Sequence, residues 1–111
     1  MDSLVERVLA GEYAEGWSLF QRLAEPTALE ERFAGVCLFN MHRLQEAKDL
    51  LLSARARGCH AAAIELATVW RHLGHAELGR EAVEGLELER LTPFDRALAL
   101  RELGVQAYLR G

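Results

Sequence analysis

The side chains best suited to holding a metal are Cys59-His60 and, twelve residues on, the stretch His72-Leu73-Gly74-His75. Zinc takes nitrogen and sulfur ligands in a tetrahedral set built from regularly spaced pairs. These residues fall at the ends of different helical stretches and match no such spacing, so no metal is expected. The adjacent carboxylates Glu30 and Glu31, and the pair Glu87 and Glu89, raise acid–base chemistry as a second option. That chemistry needs a cleft that drives two carboxyl pKa values apart, and these pairs read instead as solvated helix surface. No Ser-His-Asp set is discernible, and no glycine-rich loop follows a strand to cradle phosphate. The expectation is a chain that is not an enzyme and takes no cofactor.

Composition narrows what is left. A chain of 111 residues with 50% hydrophobic and 27% charged residues suits one globular domain. The formal charge of -4 argues against nucleic acid, which selects a basic face or stripe. The longest uncharged apolar run, Gly35 to Met41, falls well below the roughly twenty residues that cross a bilayer, so no membrane partner is expected. The N-terminus shows no signal-peptide pattern, and Cys37 and Cys59 make no disulfide framework, which points to the cytoplasm.

The punctuation is helical throughout. Ser3 to Glu6 and Thr27 to Glu30 both read Ser/Thr-x-x-Glu, a capping box, and Thr92-Pro93-Phe94-Asp95 supplies an N-cap, a first-turn proline and an acid. Gly11, Gly58 and Gly74 each follow a periodic apolar stretch and mark helix ends. These signals predict helices near 3–10, 12–24, 28–40, 43–57, 60–73, 76–88 and 93–110 in an all-α fold, with no convincing strand.

The helices repeat. Gly16, Ala47 and Gly79 occupy matching places in 10–23, 41–54 and 73–86, at spacings of 31 and 32 residues. Gly35 and Ala67 match in the helices before them and are followed three residues later by Leu38 and Trp70. Leu66-Ala67 with Trp70, then Gly79 and Val83, resembles one tetratricopeptide repeat, and Ala34-Gly35 with Leu38, then Ala47, Leu51 and Ala54, resembles another. The stretch from Ala54 to Gly74 is also similar to the related Sel1-type repeat. The resemblance implies a right-handed α-solenoid of antiparallel helix pairs, about seven helices in approximate units 1–26, 27–59, 60–91 and a half unit 92–111. Small residues then serve close helix crossings, while Trp17 and Trp70 are expected largely buried between units.

The same resemblance implies a protein-interaction module whose first helices line a concave face. The matching positions are Arg32, Phe33, Val36, Phe39 and Asn40 in one unit and Ile64, Glu65, Thr68, Arg71 and His72 in the next. Arg101, Glu102, Val105 and Tyr108 follow in the last helix. The expected partner is a protein or peptide, with Arg32 and Arg71 as free guanidinium forks whose charge reversal leaves folding unchanged. A regulatory segment of a larger transcription or signalling protein is the alternative. In the last helix, Phe94, Ala97, Leu100, Leu103 and Ala107 are expected to pack inward. Leu98, Val105 and Leu109, beside Tyr108, form an opposite apolar stripe, to be covered by a second copy in a homodimer or by a continuation of the chain.

Overall fold

The computed structural model describes residues 3–110. Gly111, where repeat register would begin another turn, lies outside them, as do the first two residues of the first unit. Among the described residues the regular structure is entirely helical: α1 (Leu4–Leu9), α2 (Tyr13–Gln21), α3 (Ala28–Asn40), α4 (Leu44–Ala56), α5 (Ala62–His72), α6 (Ala76–Glu84) and α7 (Pro93–Arg110). Helix α6 stops at Glu84, short of the expected end near 88, and a 3-10 turn, Leu88–Arg90, follows it.

The starts of α1, α3 and α7 follow from their capping residues. At α3 the Thr27 hydroxyl accepts from the Glu30 amide at 3.1 Å, and the Glu30 carboxylate accepts from the Thr27 amide at 2.8 Å. Two donors left over by the helix geometry are thereby satisfied at once. Ser3 accepts from the Glu6 amide, and Thr92 accepts from the Asp95 amide ahead of Pro93.

The stops of α1, α3, α4 and α5 repeat one motif. The amides of Glu12, Arg43, Cys59 and His75 each donate to the carbonyl five residues back, at 2.8, 2.9, 3.0 and 2.8 Å. That bond closes a Schellman turn, which needs a left-handed residue just before the donor. Gly11, Gly58 and Gly74 supply it at φ of 77, 104 and 89°. The remaining turn is closed by His42 at φ 61°, a conformation a side chain adopts less readily than glycine does. Three of the turns could therefore be read from glycine and the fourth could not.

Each helix packs on the next, and α1, α3, α5 and α7 also pack on one another in succession. The tight points are the small residues. A Cβ on Gly35 would stand 2.7 Å from Leu51 Cγ, and one on Gly79 would stand 2.7 Å from the Ala67 carbonyl oxygen. Around them Leu38, Ala47, Leu51, Ala54, Leu66 and Val69 form the central core. A second cluster joins Ile64, Ala67 and Val83 to Ala99 of α7, and a third joins Leu4 and Val8 to Cys37. Trp17 and Trp70 pack against this core and are partly buried, with Arg43 and Arg55 lying over their rings at 5.2 and 5.5 Å.

Helix α7 is rotated from the expected phase. Its inward residues are Leu98, Ala99, Glu102, Leu103 and Gln106, while Phe94, Ala97, Leu100 and Ala107 are exposed. The physical reason is polar. Thr68 and Arg71 of α5 offer hydrogen-bond donors at this interface, and the face of α7 that answers them carries Glu102, to which Gln106 also donates.

Candidate functional site

Because α1, α3, α5 and α7 contact one another in order, the faces they turn away from α2, α4 and α6 join into one surface. Residues one turn apart on α3, Phe33, Val36 and Phe39 with Asn40 beside them, form its floor together with Glu65 and Thr68 of α5. Val5 and Leu9 of α1 stand on one side; Phe94, Leu98 and Arg101 of α7 stand on the other. They enclose a groove of ≈ 620 Å³. It unites most of the residues assigned to a concave face, and adds Val5, Leu9, Leu29 and Phe94, which that assignment missed. The missed signal in α1 is a second i,i+4 pair, Val5 and Leu9, beside the core pair Leu4 and Val8.

The electrostatics differ from the free forks expected. Arg32 is 5% exposed. Its Nε and Nη2 donate to Glu65 at 2.6 and 3.0 Å, and its Nη2 and Nη1 donate to Asp95 at 2.9 and 3.2 Å. One guanidinium thus ties α3 to α5 and α7. Burial works to lower the Arg32 pKa, but its hydrogen bonds to Glu65 and Asp95 outweigh that and hold it above the ordinary value. Burial pushes the Glu65 carboxyl up against the opposing pull of Arg32. The assignment of Arg32 as a free partner-facing fork is corrected: its donors are consumed inside the protein.

Arg71 is committed in the same way. Its Nε and Nη2 each donate to the buried Glu102 at 3.1 Å, while Thr68 Oγ1 donates to Glu102 at 2.8 Å and Gln106 at 3.0 Å. Glu102 is therefore an internal acceptor rather than a groove contact. Ile64, 4% exposed, belongs to the core against Val83 and Ala99, since its position turns toward α6 and α7 rather than the groove. His72 stands edge-on to Phe39 with centroids 5.1 Å apart, and its Nδ1 lies 2.9 Å from the Thr68 carbonyl, which can only accept. It is itself exposed and lies outside the groove lining.

The stripe drawn for a dimer or a continuation is corrected too. Leu98 packs into the core and lines the groove, and Val105 is half-buried, because both lie on the inward side of the rotated α7. Tyr108 and Leu109 are exposed, with Tyr108 at 84%, and neither lines the groove. Arg101 does line it, is exposed, and has no hydrogen bond or ion pair among the described residues.

Cys59 and His60 precede α5, while His72 ends it and His75 follows, so its eleven residues separate the two pairs by about 16 Å at 1.5 Å per residue. Cys59 and His60 border a separate hollow of ≈ 590 Å³ near Arg55. Burial raises the Cys59 thiol and pushes the Cys37 thiol up to about 11, which disfavours the thiolate form of both. No helix is long and apolar enough to cross a membrane among the described residues. Comparison with protein-family models, with curated proteins and with solved structures returned no match.

Proposed function

We propose that the chain is a non-catalytic interaction module, a short tetratricopeptide-like solenoid that binds a segment of a partner protein in the groove between α1 and α7. The observation that supports this most directly is the groove itself. It gathers apolar side chains from helices far apart in sequence and leaves Leu9 and Phe94 exposed, at 68 and 63%, on opposite rims. Side chains that are exposed and apolar at both edges of a concavity, over a floor held rigid by buried ion pairs, suit a ligand that exchanges water for carbon contact. The Schellman turns at Gly11, His42 and Gly74 follow one another at 31 and 32 residues, and the close crossings at Gly16 and Gly79 lie two such spacings apart, which supports the solenoid reading.

The test is amide chemical-shift mapping of the labelled protein titrated with peptides selected from a random display library. Shifts concentrated at Val36, Phe39, Asn40 and Thr68 are expected. Shifts confined to α2, α4 and α6 would refute the groove as the binding face.

A further inference from the structure

Resting on that reading, the chemistry of the groove also specifies its partner. The floor is wide. Three helix-to-helix steps separate α1 from α7, and at 8–10 Å per step their axes lie at most about 24–30 Å apart along the floor. Allowing about 5 Å for the radius of each flanking helix leaves roughly 14–20 Å, which exceeds the 10–12 Å of an α-helix only modestly. An extended strand would reach one rim and leave the other wet. Along α3 the lining runs from Leu29 to Asn40, eleven residue steps or about 16 Å, so it grips about three turns of a helical ligand.

Charge then selects among helices. Glu65 and Asp95 offer a ligand little: Arg32 already donates to both oxygens of each, and their side chains are only 18 and 15% exposed. A cation on the ligand finds no open carboxylate there. Arg101 is the reverse case, an exposed guanidinium on the groove wall whose donors meet no acceptor among the described residues. It stands one turn beyond Leu98 on the same face of α7.

We propose that the groove takes an amphipathic helix of a partner protein, with its apolar face on Val36, Phe39 and Leu98 and a carboxylate on Arg101. The ligand carries an acidic residue at the edge of its apolar stripe, three or four positions from an aliphatic or aromatic anchor. A planar fork meets a carboxylate through two parallel hydrogen bonds, which fixes the rotation of the helix in the groove.

The experiment uses the whole chain and a display library of amphipathic helical peptides in which every polar position is randomised between Glu and Lys. Selected peptides are synthesised and their affinity is read by fluorescence anisotropy at low and high salt. Leu9→Glu blocks the groove at an exposed position, and Arg101→Glu reverses the rim charge; circular dichroism confirms that both variants keep their helix content. The expected result is Glu enriched at one stripe-edge position, binding abolished by Leu9→Glu and weakened about tenfold by Arg101→Glu. Changing the enriched Glu of the peptide to Lys then restores affinity for Arg101→Glu. Groove binding that Leu9→Glu blocks, but with no acid preference and no response to Arg101→Glu, overturns this inference and leaves the proposed function standing. A central proline that leaves affinity unchanged overturns the helical form of the ligand. A library that yields no binder, or binders indifferent to Leu9→Glu, overturns the groove reading and the inference together.

Discussion

Replacing Arg32 by Met keeps most of the side chain's carbon bulk and removes the one cation between two shielded carboxylates. Deleting one partner of a buried ion pair generally costs about 3–5 kcal/mol, because the charge left behind has lost both water and counterion. Glu65 and Asp95 keep 18 and 15% of their side-chain surface, so water recovers part of that penalty. The expected loss is therefore near the lower bound, about 3 kcal/mol, or roughly 12–18 °C in melting temperature for a chain of this size. Its pH dependence is also defined. The folded-state pKa of Glu65 is already raised above the ordinary 4.5 by burial, and losing Arg32 removes the influence that lowers it. A carboxyl whose folded pKa is raised contributes its full stability below the unfolded value and loses it as pH rises through the folded one. The deficit of Arg32→Met is thus largest at neutral pH and narrows as pH falls toward 4.5, the ordinary value for Glu65. Urea unfolding of both proteins, followed by circular dichroism across that range, measures it. Adding Glu65→Gln to the variant should restore part of the loss, because one stranded charge is gone. A loss under about 1 kcal/mol at neutral pH, or one that does not change with pH, would refute the account, since exposed arginines contribute about that little.

Two further substitutions or treatments probe the frame. Gly79→Ala places a methyl group 2.7 Å from the Ala67 carbonyl, which belongs to backbone and cannot rotate away, and should cost about 1–3 kcal/mol in thermal or urea unfolding; a neutral result would show that α5 and α6 separate freely. Cys37 and Cys59, both with raised thiol pKa values, should alkylate slowly with iodoacetamide at pH 8 in the native protein and rapidly in urea, with Cys37 the slower as the fully buried one. Mass spectrometry of the time course reads both rates, and prompt native labelling of Cys37 would contradict its burial.

Much of the local structure was legible in the sequence because its causes are local. Thr27 and Glu30 sit three residues apart and close their box within one turn, and Gly11, Gly58 and Gly74 announce left-handed turns by lacking a Cβ. His42 takes the same turn without that signal. The groove was half legible: Phe33, Val36, Phe39, Asn40, Thr68 and Arg101 line it as their register implied. What local pattern could not carry is pairing over distance. Arg32 and Asp95 are 63 residues apart, and nothing near either one says that the other will consume its charge. The rotation of α7 was hidden for the same reason. An apolar-stripe reading favours Phe94, Ala97 and Leu100, yet Glu102 faces inward because Thr68 and Arg71 donate to it from another helix, and Gln106 donates to that same carboxylate.

The seam between α5 and α7 has a consequence for how the molecule comes apart. Helix α3 meets α4 through Leu38 and Leu51, contacts that weaken gradually as neighbours shift. Helix α7 is fastened largely by directional bonds to Glu102 and Asp95, and among its described apolar side chains only Ala99 is fully buried. Such a fastening tolerates little displacement, because each bond fails within a fraction of an ångström and strands a charge when it does. In native-state hydrogen exchange, the amides of α7 should open together as one cooperative unit below the global unfolding energy, ahead of α3 and α4. Since α7 forms one wall of the groove, a ligand that bridges both rims would slow that opening and couple occupancy to the order of the terminal helix.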